Sequence, residues 1–351
     1  MKARAVIGAN FGDEGKGLFT DYLCSTQGAG IVVRFNGGAQ AGHTVETPEG
    51  TRHVFHHFGS GVFRGVPTFL SQFFMVNPIL FLKELDVLSK LVGFTPWVYA
   101  HPTCLVTTFA DMLINQRLED ARGAARHGSV GVGINETFER SAVPSLRITM
   151  ADLWNENLLS SRLVEICDRY AAFRTGSPID NAGKMIEAFM KACTTVASRI
   201  HPLGIEQCVD PVFEGAQGLL LDQDNKEFFP HVTRSHTGMK NVRTLCAQMG
   251  IEDIEAFYVS RTYLTRHGAG PLPGEDPGLS FEDKTNNEHP YQGKLRFAPL
   301  DTDALIARCK EDAGGAEMRL VLTHCDQRPA PMRADFYSHG PTREDVERNP
   351  R

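Results

Sequence analysis

The chain of 351 residues has a formal net charge of −6 and 42% hydrophobic residues, enough for one large α/β domain or two smaller ones. The acidic balance argues against nucleic acid as a main partner, because phosphate backbones demand clustered Lys and Arg. Eight scattered cysteines without a Cys-x-x-Cys pair argue against zinc and fit a reducing cytoplasm, and no apolar run reaches the ~18 residues of a membrane helix.

A strand, a glycine-rich loop and a helix are predicted within residues 5–23. Such a loop presents backbone N–H groups to phosphate, and Lys16 occupies the position of a P-loop lysine. The standard P-loop pattern is not met, because Asn10 replaces its first glycine and Gly17 replaces its hydroxyl residue. Asp13 and Glu14 lie inside the loop, where carboxylates indicate metal binding or acid–base chemistry. An ordinary tight turn is the alternative interpretation.

A second buried strand is predicted over residues 31–35, and it runs into a glycine-rich loop at 36–44 that contains His43. Ligands bind beyond the carboxyl ends of parallel strands, so the two loops predict one shared pocket. A lone histidine is ordinarily structural, but His43 in this loop is a candidate functional residue. The histidines at 53–57 do not converge by strand alternation, and we interpret them as strand and loop rather than a metal site.

The middle of the chain is predicted to be mostly helical, and the charges of its polar helix are interpreted as a solvated face. In chain order the patterns predict a helix over 78–93, a strand at 97–100, a polar helix over 110–126, a glycine-rich loop at 128–135 and helical stretches over 148–174 and 181–200.

The last third returns to strands that end in loops. The patterns predict strands within 212–218, 256–260 and 320–322, loops at 229–235, 265–271 and 323–326, a long loop over 274–293 and a turn at 337–342. Because strand, glycine loop and helix recur, the sequence predicts an α/β fold with a mainly parallel central sheet and helices on both faces.

Two further sites carry polar chemistry near the end of the chain. Lys294 and Arg296 are two residues apart, share one face of an extended chain and suit a dicarboxylate, with solvent-facing charges as the alternative. Asp326 follows a strand and can accept two hydrogen bonds from guanine, as in base-reading Lys-x-Asp turns. His324 stands here in place of the lysine.

Seven ordered motifs resemble the adenylosuccinate synthetase family, whose members join L-aspartate to C6 of a purine nucleotide with a nucleoside triphosphate. The most specific is Gly-Asp-Glu-Gly-Lys-Gly at 12–17. The others are Ala-Gly-His-Thr at 41–44, Phe-Glu-Gly-Ala-Gln-Gly at 213–218, Pro-His-Val-Thr at 230–233, Thr-Arg-His-Gly-Ala-Gly-Pro at 265–271, Thr-His-Cys-Asp at 323–326 and Ser-His-Gly-Pro at 338–341.

The resemblance implies roles for residues that match the family's motifs. It implies Asp13 as the base that takes the purine N1 proton and contacts Mg²⁺, the Gly42 carbonyl as a second metal ligand, His43 as catalytic acid and Lys16 as a phosphate-stabilising cation. Lys294 and Arg296 match the aspartate-binding loop. The implied nucleotide-binding residues are Asn10, Gly12, Glu14, Gly15, Gly17, Gln40, Thr44, Ser129, Val130, Gln217, Thr233, His267, Asp326, Ser338, Gly340 and Pro341.

The resemblance also implies the architecture and the partners. It implies a single domain over 1–351 with a mostly helical insertion at about 148–200, located in the cytoplasm, or in the host's cytoplasm for a phage protein. The expected ligands are a purine nucleoside monophosphate, a nucleoside triphosphate, L-aspartate and Mg²⁺. A homodimer is expected, although Val143 replaces the arginine that reaches the neighbouring subunit, a role open to Arg140 or Arg147.

Departures from the family pattern favour its short phage-type branch. The chain is short, His267 replaces a valine beside the substrate ribose, and His324 replaces the base-reading lysine. That branch converts dGMP with ATP or dATP to N6-succino-2-amino-2'-deoxyadenylate, for 2-aminoadenine in DNA. The first alternative is the housekeeping reaction of IMP and GTP. A non-catalytic nucleotide-binding protein is a second, and a kinase or GTPase switch is a third, disfavoured by the missing hydroxyl at Gly17.

Overall fold

The computed structural model describes residues 2–123, 127–286 and 293–350. Its strands are β1 (Lys2–Gly8), β2 (Ile31–Arg34), β3 (Gly37–Gly38), β4 (His43–Glu46), β5 (Arg52–Phe55), β6 (Thr68–Leu70), β7 (Phe74–Val76), β8 (Val98–Ala100), β9 (Leu105–Val106), β10 (Ile200–Pro202), β11 (Pro211–Gly218), β12 (Asp253–Arg261), β13 (Tyr263–Arg266), β14 (Arg296–Pro299), β15 (Glu317–Thr323), β16 (Phe336–Ser338) and β17 (Val346–Arg348).

The α-helices lie between groups of these strands and are concentrated in the middle of the chain, over 109–197. They are α1 (Lys16–Thr26), α2 (Pro78–Val92), α3 (Phe109–Arg122), α4 (Ile134–Ser141), α5 (Glu156–Glu165), α6 (Ala171–Thr175), α7 (Ala182–Ala197), α8 (Met239–Gln248) and α9 (Thr302–Ala313). In the described part of the chain, no helix combines the length and the apolar character needed to cross a bilayer.

A mainly parallel sheet forms the centre of the molecule, which confirms the predicted fold class. Among the described residues it has ten strands in the order β10-β8-β6-β2-β11-β1-β12-β15-β16-β17. Every neighbouring pair is parallel except β16 with β17. The carboxyl ends of β1, β2, β11, β12 and β15 therefore meet at one edge, where the loops that follow them can share a ligand.

Alternation along β1 shows how the helices cover both faces of the sheet. Val6 packs with Phe19 and Leu23 of α1 on one face. Ala5 and Ile7 pack with residues of α8 and α9 on the other face. Because successive side chains of a strand point to opposite faces, the apolar run of β1 is the pattern expected of a strand buried on both sides.

The polar helix predicted over 110–126 is only partly solvated, so that interpretation is wrong for α3. Asp111 is fully buried, and its carboxylate accepts two hydrogen bonds from the equally buried guanidinium of Arg140, at 2.8 and 2.9 Å. Arg140 also donates to the carbonyls of Leu146 and Val106. These internal bonds exclude Arg140 from a cross-subunit role. Residues 124–126 of the predicted helix lie outside the described residues.

One predicted loop begins inside a strand. Thr265 and Arg266 belong to β13, which pairs with β14 in an antiparallel hairpin. The predicted loop at 265–271 therefore begins only at His267, and Arg296 is the partner of Arg266 in the ladder. Lys294 lies in a bend before β14, and of the two predicted cations only Arg296 belongs to the strand.

Candidate active site

The glycine loop between β1 and α1 folds back over the end of its own strand. Gly12, Asp13 and Gly15 adopt left-handed backbone conformations, with φ of +95°, +55° and +90°. Only glycine fits at Gly8, because a Cβ there would meet the Glu14 carboxylate and lie 2.9 Å from Lys16 Nζ. A non-glycine residue in the left-handed region is uncommon, and at Asp13 it belongs to a loop shaped for function.

Lys16 and Glu14 form a loose, buried pair under the loop. Lys16 is 4% exposed, and its Nζ lies 3.9 Å from Glu14 Oε2. Burial raises the pKa of Glu14 to about 7, although the positive charge of Lys16 acts in the opposite direction. Burial also lowers the pKa of Lys16. Oε2 is buried without a hydrogen-bond partner among the described protein atoms. A weakly satisfied cation at the start of α1 is suited to bind a phosphate group.

His43 is oriented by Glu214, a residue that the sequence analysis placed in a motif but did not assign a role. His43 Nδ1 lies 2.8 Å from Glu214 Oε1, and Glu214 also accepts from the backbone N–H and the hydroxyl of Ser60. Burial opposes ionisation of Glu214, but His43, Arg34 and Ser60 together hold its pKa at about 2. Burial and then the charge of Arg34 lower the pKa of His43 to about 4.

The ionised carboxylate fixes the tautomer of His43. It accepts only, so Nδ1 carries the ring proton and Nε2 keeps a lone pair. Nε2 is buried, and no described protein atom bonds to it. The sequence signal for Glu214 was a charged residue directly after Val212 and Phe213 in an apolar strand, because a charge at such a position needs a specific partner.

Two cavities meet at the carboxyl edge of the sheet. The glycine-loop cavity, about 310 Å³, is bounded by the loop at 13–18, by 42–44, by 282–286 and by 323–327. The arginine cavity, about 440 Å³, contains Arg122, Arg174, Arg234 and Arg266 in its wall. Thr323 Oγ1 donates to the Glu14 carbonyl at 2.9 Å, which holds the glycine loop against the end of β15.

The predicted residues divide between the two cavities. The glycine-loop cavity is lined by Asp13, Glu14, Gly15, Lys16, Gly17, Gly42, His43, Thr44, Asp326, Gly340 and Pro341. The arginine cavity is lined by Gln40, Ser129, Val130, Gln217, Thr233 and His267. The shared pocket predicted from the first two loops is confirmed, because residues 13–17 and 42–44 line the same glycine-loop cavity. The segments after β11 and β13 line a second, adjoining space.

Five other predicted residues do not line either cavity within the described part of the chain. Gly12 packs beside Gln217, where an added Cβ would lie 3.5 Å from the Gln217 Cα. Asn10 is buried, its side-chain Nδ2 donates to Ser260 Oγ at 2.9 Å, and its Oδ1 accepts from Arg308. Ser338 is buried and donates to the Gly340 carbonyl at 2.7 Å. Gly12 and Ser338 thus contact residues that line the cavities, and Asn10 is held by internal hydrogen bonds.

The remaining two are the predicted aspartate-binding cations, Lys294 and Arg296. The Arg296 guanidinium donates to the carbonyls of Gly268 and Gly270 and to Glu275 Oε2, each at 2.7 Å. It thus braces the turn that follows His267. Residues 287–292 of the predicted long loop lie outside the described residues, and aspartate binding by Lys294 and Arg296 stays a prediction.

A contact between Asp13 and His267 joins the two cavities. His267 Nδ1 lies 3.4 Å from Asp13 Oδ2. Burial opposes ionisation of Asp13, but His267, Arg261 and Lys16 outweigh it and lower the pKa of Asp13. Arg261 also donates to the Asp13 carbonyl and, at 2.7 Å, to Asp283. The Asp13 carboxylate is therefore ionised, and it lines the glycine-loop cavity while it contacts a residue of the arginine cavity.

Oxygen atoms suited to a hard cation line the glycine-loop cavity. The Asp13 carboxylate is 30% exposed, and the Gly42 carbonyl belongs to the same wall. The histidines at 53–57 do not form a metal site: His53 and His57 approach Glu84 at 3.8 and 3.2 Å instead. Sequence reasoning missed the glutamate that His53 and His57 share.

A parallel α/β sheet with an acidic glycine loop, a buried lysine and a carboxylate-oriented histidine defines a nucleotide-binding protein equipped for phosphate chemistry. A second cavity lies next to the one at the glycine loop. The chain belongs to the adenylosuccinate synthetase family, whose model matches residues 5–297.

Relatives of known sequence support the family and show how this chain differs in length. The adenylosuccinate synthetase of Alkalilimnicola ehrlichii is 32% identical over 287 residues, which cover 77% of this chain and 64% of the relative. That of Thermoplasma acidophilum is 30% identical over 294 residues, which cover 79% and 64%. The match therefore spans less than two thirds of these relatives' length.

Solved structures share the fold. The fully ligated adenylosuccinate synthetase of Plasmodium falciparum superposes with a TM-score of 0.72 at 21% identity, covering 92% of this chain and 77% of the other. The succinoaminodeoxyadenylate synthetase of cyanophage S-2L, bound to dGMP and to dATP as an energy donor, gives 0.67 at 16% identity, covering 100% of this chain and 96% of the other.

Proposed function

We propose that the protein joins L-aspartate to C6 of a purine nucleoside monophosphate through a 6-phosphoryl intermediate, with dGMP as acceptor and ATP or dATP as phosphate donor. The observation that carries the proposal is the 3.4 Å contact between Asp13 and His267, where the two cavities adjoin. In this proposal the triphosphate occupies the glycine-loop cavity and the monophosphate occupies the arginine cavity, so that the purine edge reaches Asp13.

The first step transfers a phosphoryl group to the purine oxygen. Asp13, ionised in the structure, takes the N1 proton, and O6 then forms a bond to the γ-phosphorus while the bond to the bridging oxygen breaks. Lys16 stabilises charge on the phosphate oxygens. The approach of that negative charge favours protonation of His43, whose Nε2–H then donates to the transferring group.

The second step uses the good leaving group made by the first. The aspartate amine forms a bond to C6, the C6–O6 bond breaks, and inorganic phosphate and a proton leave. Lys294 and Arg296 match the aspartate-binding loop of the family, and we expect the two residues to have different roles. Lys294 would pair with a substrate carboxylate, whereas Arg296 holds the turn at 268–270 through carbonyl contacts.

Mg²⁺ fits the oxygen ligands of the glycine-loop cavity. Asp13 and the Gly42 carbonyl would hold it, since both line the same wall and both offer the oxygen atoms that this ion prefers. When bound, the ion neutralises charge on the phosphate oxygens. The residues of the chain still perform the proton transfers that the reaction requires.

Three features support dGMP and an adenine donor over IMP and GTP. His267 and His324 replace the valine and the base-reading lysine of the family pattern. The structural match to the cyanophage enzyme, which was solved with dGMP and dATP, covers 100% of this chain and 96% of that enzyme, so the two chains are similar in length. A carboxylate at Asp13 can accept from guanine N1–H and the 2-amino group together, so it is compatible with dGMP.

A four-way assay tests the proposal. Purified protein receives Mg²⁺ and L-aspartate, with dGMP or IMP as acceptor and ATP or GTP as donor, and the succinylated product is followed by absorbance. We expect turnover with dGMP and ATP. Turnover only with IMP and GTP would identify the housekeeping reaction instead. Nucleotide binding without turnover under every condition would favour a non-catalytic protein.

We also propose that the protein forms a homodimer through the surface beside the arginine cavity. Phe138 of α4 is 39% exposed, and Val143, two residues beyond the end of that helix, is 43% exposed. Asn135 and Glu139 of α4 line the arginine cavity. Sedimentation analysis should show a dimer that Val143→Asp weakens. A wild-type monomer at all concentrations would contradict the proposal.

A further inference from the structure

A short segment at 282–286, called the strap from here on, forms part of the wall of the glycine-loop cavity. All five of its residues line that cavity. Gln327 Nε2 donates to the Glu282 carbonyl at 2.9 Å, and Thr285 Oγ1 accepts from Arg52 at 2.6 Å. These contacts hold the strap to the segment after β15 at one end and to β5 at the other.

Arg261, the last residue of β12, joins the strap to the glycine loop. Its side chain is 3% exposed and lines the same cavity. The guanidinium donates from Nε to the Asp13 carbonyl and from Nη2 to Asp283 Oδ2, the second bond at 2.7 Å. Its third nitrogen, Nη1, donates to the Tyr263 hydroxyl at 3.3 Å. One buried side chain therefore contacts both the strap and the backbone of the proposed catalytic base.

The backbone at Asp13 needs this support. Asp13 has a φ of +55°, a left-handed conformation that is costly for a residue with a Cβ and persists only where its surroundings enforce it. The Asp13 carbonyl accepts from Arg261, and the next carbonyl, that of Glu14, accepts from Thr323 Oγ1 at 2.9 Å. Two neighbouring strands thus fix two successive peptide groups, and with them the direction of the Asp13 side chain.

The position of Arg261 also gives it a competing partner. In the proposed function the cavity that it lines receives a nucleoside triphosphate, and guanidinium groups bind phosphate oxygens strongly. Without a fixed counter-charge, Arg261 would turn toward the phosphates and release the Asp13 carbonyl. Asp283 supplies that counter-charge on the side of the guanidinium that faces the strap.

The carboxylate of Asp283 is itself held in place by the strap. Its Oδ1 accepts from the backbone N–H groups of Thr285 and Asn286 at 2.9 and 2.8 Å. Its Oδ2 accepts from Asn286 Nδ2 at 2.8 Å as well as from Arg261. A carboxylate with this many donors is preorganised, so it can hold the guanidinium in one orientation.

We propose that Arg261 is a positioning residue for Asp13, and that Asp283 keeps its guanidinium on the Asp13 carbonyl and away from the donor phosphates. This inference rests on the proposed function and deepens it, because it assigns an arginine of the donor cavity to the support of the base that acts on the acceptor. Loss of the contact between Asp283 and Arg261 should therefore change the rate and the donor affinity in opposite directions.

The variant Asp283→Asn breaks this one contact. Its amide keeps an oxygen for the turn of the strap and places an NH₂ group, which cannot accept a hydrogen bond, toward Arg261. With dGMP and saturating MgATP, kcat should fall about tenfold, the effect of one lost hydrogen bond to a charged group. The affinity for MgATP, measured by calorimetry without acceptor, should rise about fivefold, because the released guanidinium gains a phosphate partner.

Two comparisons separate the released arginine from the lost negative charge. Glu282→Gln removes a carboxylate from the neighbouring position of the strap, and it should raise the MgATP affinity less than Asp283→Asn does. In an Arg261→Gln background, Asp283→Asn should change the MgATP affinity no more than Glu282→Gln does, because the arginine that gains the phosphate is absent.

A matched control tests for a general loss of structure. Glu255 lies on the same strand, β12, and its Oε1 accepts from Arg319 Nε at 2.8 Å, outside both cavity walls. Glu255→Gln should keep the wild-type kcat and MgATP affinity. Thermal unfolding of each variant shows how much folded protein contributes to every rate. A purely structural role of Asp283 would lower both kcat and MgATP affinity.

The outcomes that overturn the inference differ from those that overturn the proposed function. In Asp283→Asn, a kcat that does not fall or a MgATP affinity that does not rise overturns the inference, as does an equal rise in the Arg261→Gln background. Wild type that turns over no acceptor overturns the proposed function. The MgATP affinities in the two backgrounds then still decide whether Asp283 restrains Arg261.

Discussion

Lys16 of the glycine-loop cavity and three arginines of the arginine cavity differ in how closely their carboxylate partners approach. In the glycine-loop cavity Lys16 is buried with its carboxylate neighbour 3.9 Å away. In the arginine cavity Arg174 is bound bidentately by Glu136, at 2.8 and 2.9 Å, and Arg122 and Arg234 are each paired with a glutamate. A polyphosphate gains most where a cation is weakly satisfied. A monophosphate entering the arginine cavity must instead rely on neutral donors or exchange existing ion pairs.

We expect the largest loss of activity from substitution of Asp13, which lines the glycine-loop cavity and contacts His267 of the arginine cavity. Asp13→Asn removes the proposed base but keeps the shape of the side chain, so kcat should fall at least about 10³-fold, within the range for loss of general base catalysis. Steady-state kinetics checks the rate, and calorimetry checks that donor and acceptor affinities largely survive. A near-normal rate in Asp13→Asn or Asp13→Ala would refute the mechanism.

Glu214 tests whether the glycine-loop cavity depends on an oriented histidine. Glu214→Gln removes the charge that fixes the His43 tautomer, and kcat should fall about 10²-fold. Because Arg34 is buried 3.9 Å from Glu214, thermal unfolding must be measured in parallel. Ser60→Ala removes one contact to the same carboxylate and should cost less. A Glu214→Gln protein with reduced stability but unchanged kcat per folded molecule would show that Glu214 is purely structural.

Lys294 and Arg296 test whether substrate binding and bracing of the wall are separate tasks. Lys294→Ala should raise the KM for aspartate about tenfold and leave both nucleotide KM values nearly unchanged. Arg296→Ala should raise the KM for the acceptor as well, because the carbonyls of Gly268 and Gly270 lose their donor. If Lys294→Ala changes only the nucleotide KM values, the aspartate loop has been assigned to the wrong segment.

The glycine-loop cavity was more predictable from sequence than the arginine cavity, and the reason is locality. The turn at 8–17 is specified by its own residues, since glycines supply left-handed backbone and Lys16 begins a helix within the same motif. The mainly parallel sheet was equally readable, because buried strands ending in glycine loops recur along the chain.

Pairings between distant residues were not predictable in this way. The contact of Asp13 with His267 spans about 250 positions, and that of His43 with Glu214 spans 171. Arg140 looked available for a second subunit because nothing near it in sequence shows that Asp111 buries it. Secondary-structure patterns record which face of an element is apolar, but they do not record which buried charge meets which partner.

His324 gives the smallest expected effect and connects the glycine-loop cavity to acid stability. Burial, reinforced by the charge of Arg261, lowers the pKa of His324 from 6.5 to about 3. Between pH 6.5 and pH 3, His324 is therefore protonated in the unfolded chain but neutral in the folded chain. The folding stability contributed by neutral His324 is present above pH 6.5 and is lost progressively as the pH falls toward 3.

His324→Asn isolates this contribution. Asparagine tolerates the left-handed backbone of this position, where φ is +61°, and it does not titrate. Wild type should lose about 1–2 kcal/mol more unfolding free energy than the variant between pH 7 and pH 5, as a 1.5-unit interval below the unfolded pKa implies. Urea titrations at the two pH values measure the difference. Equal losses would mean that His324 is already solvated in the folded protein, so that this wall of the glycine-loop cavity opens to water and cannot cover a donor base.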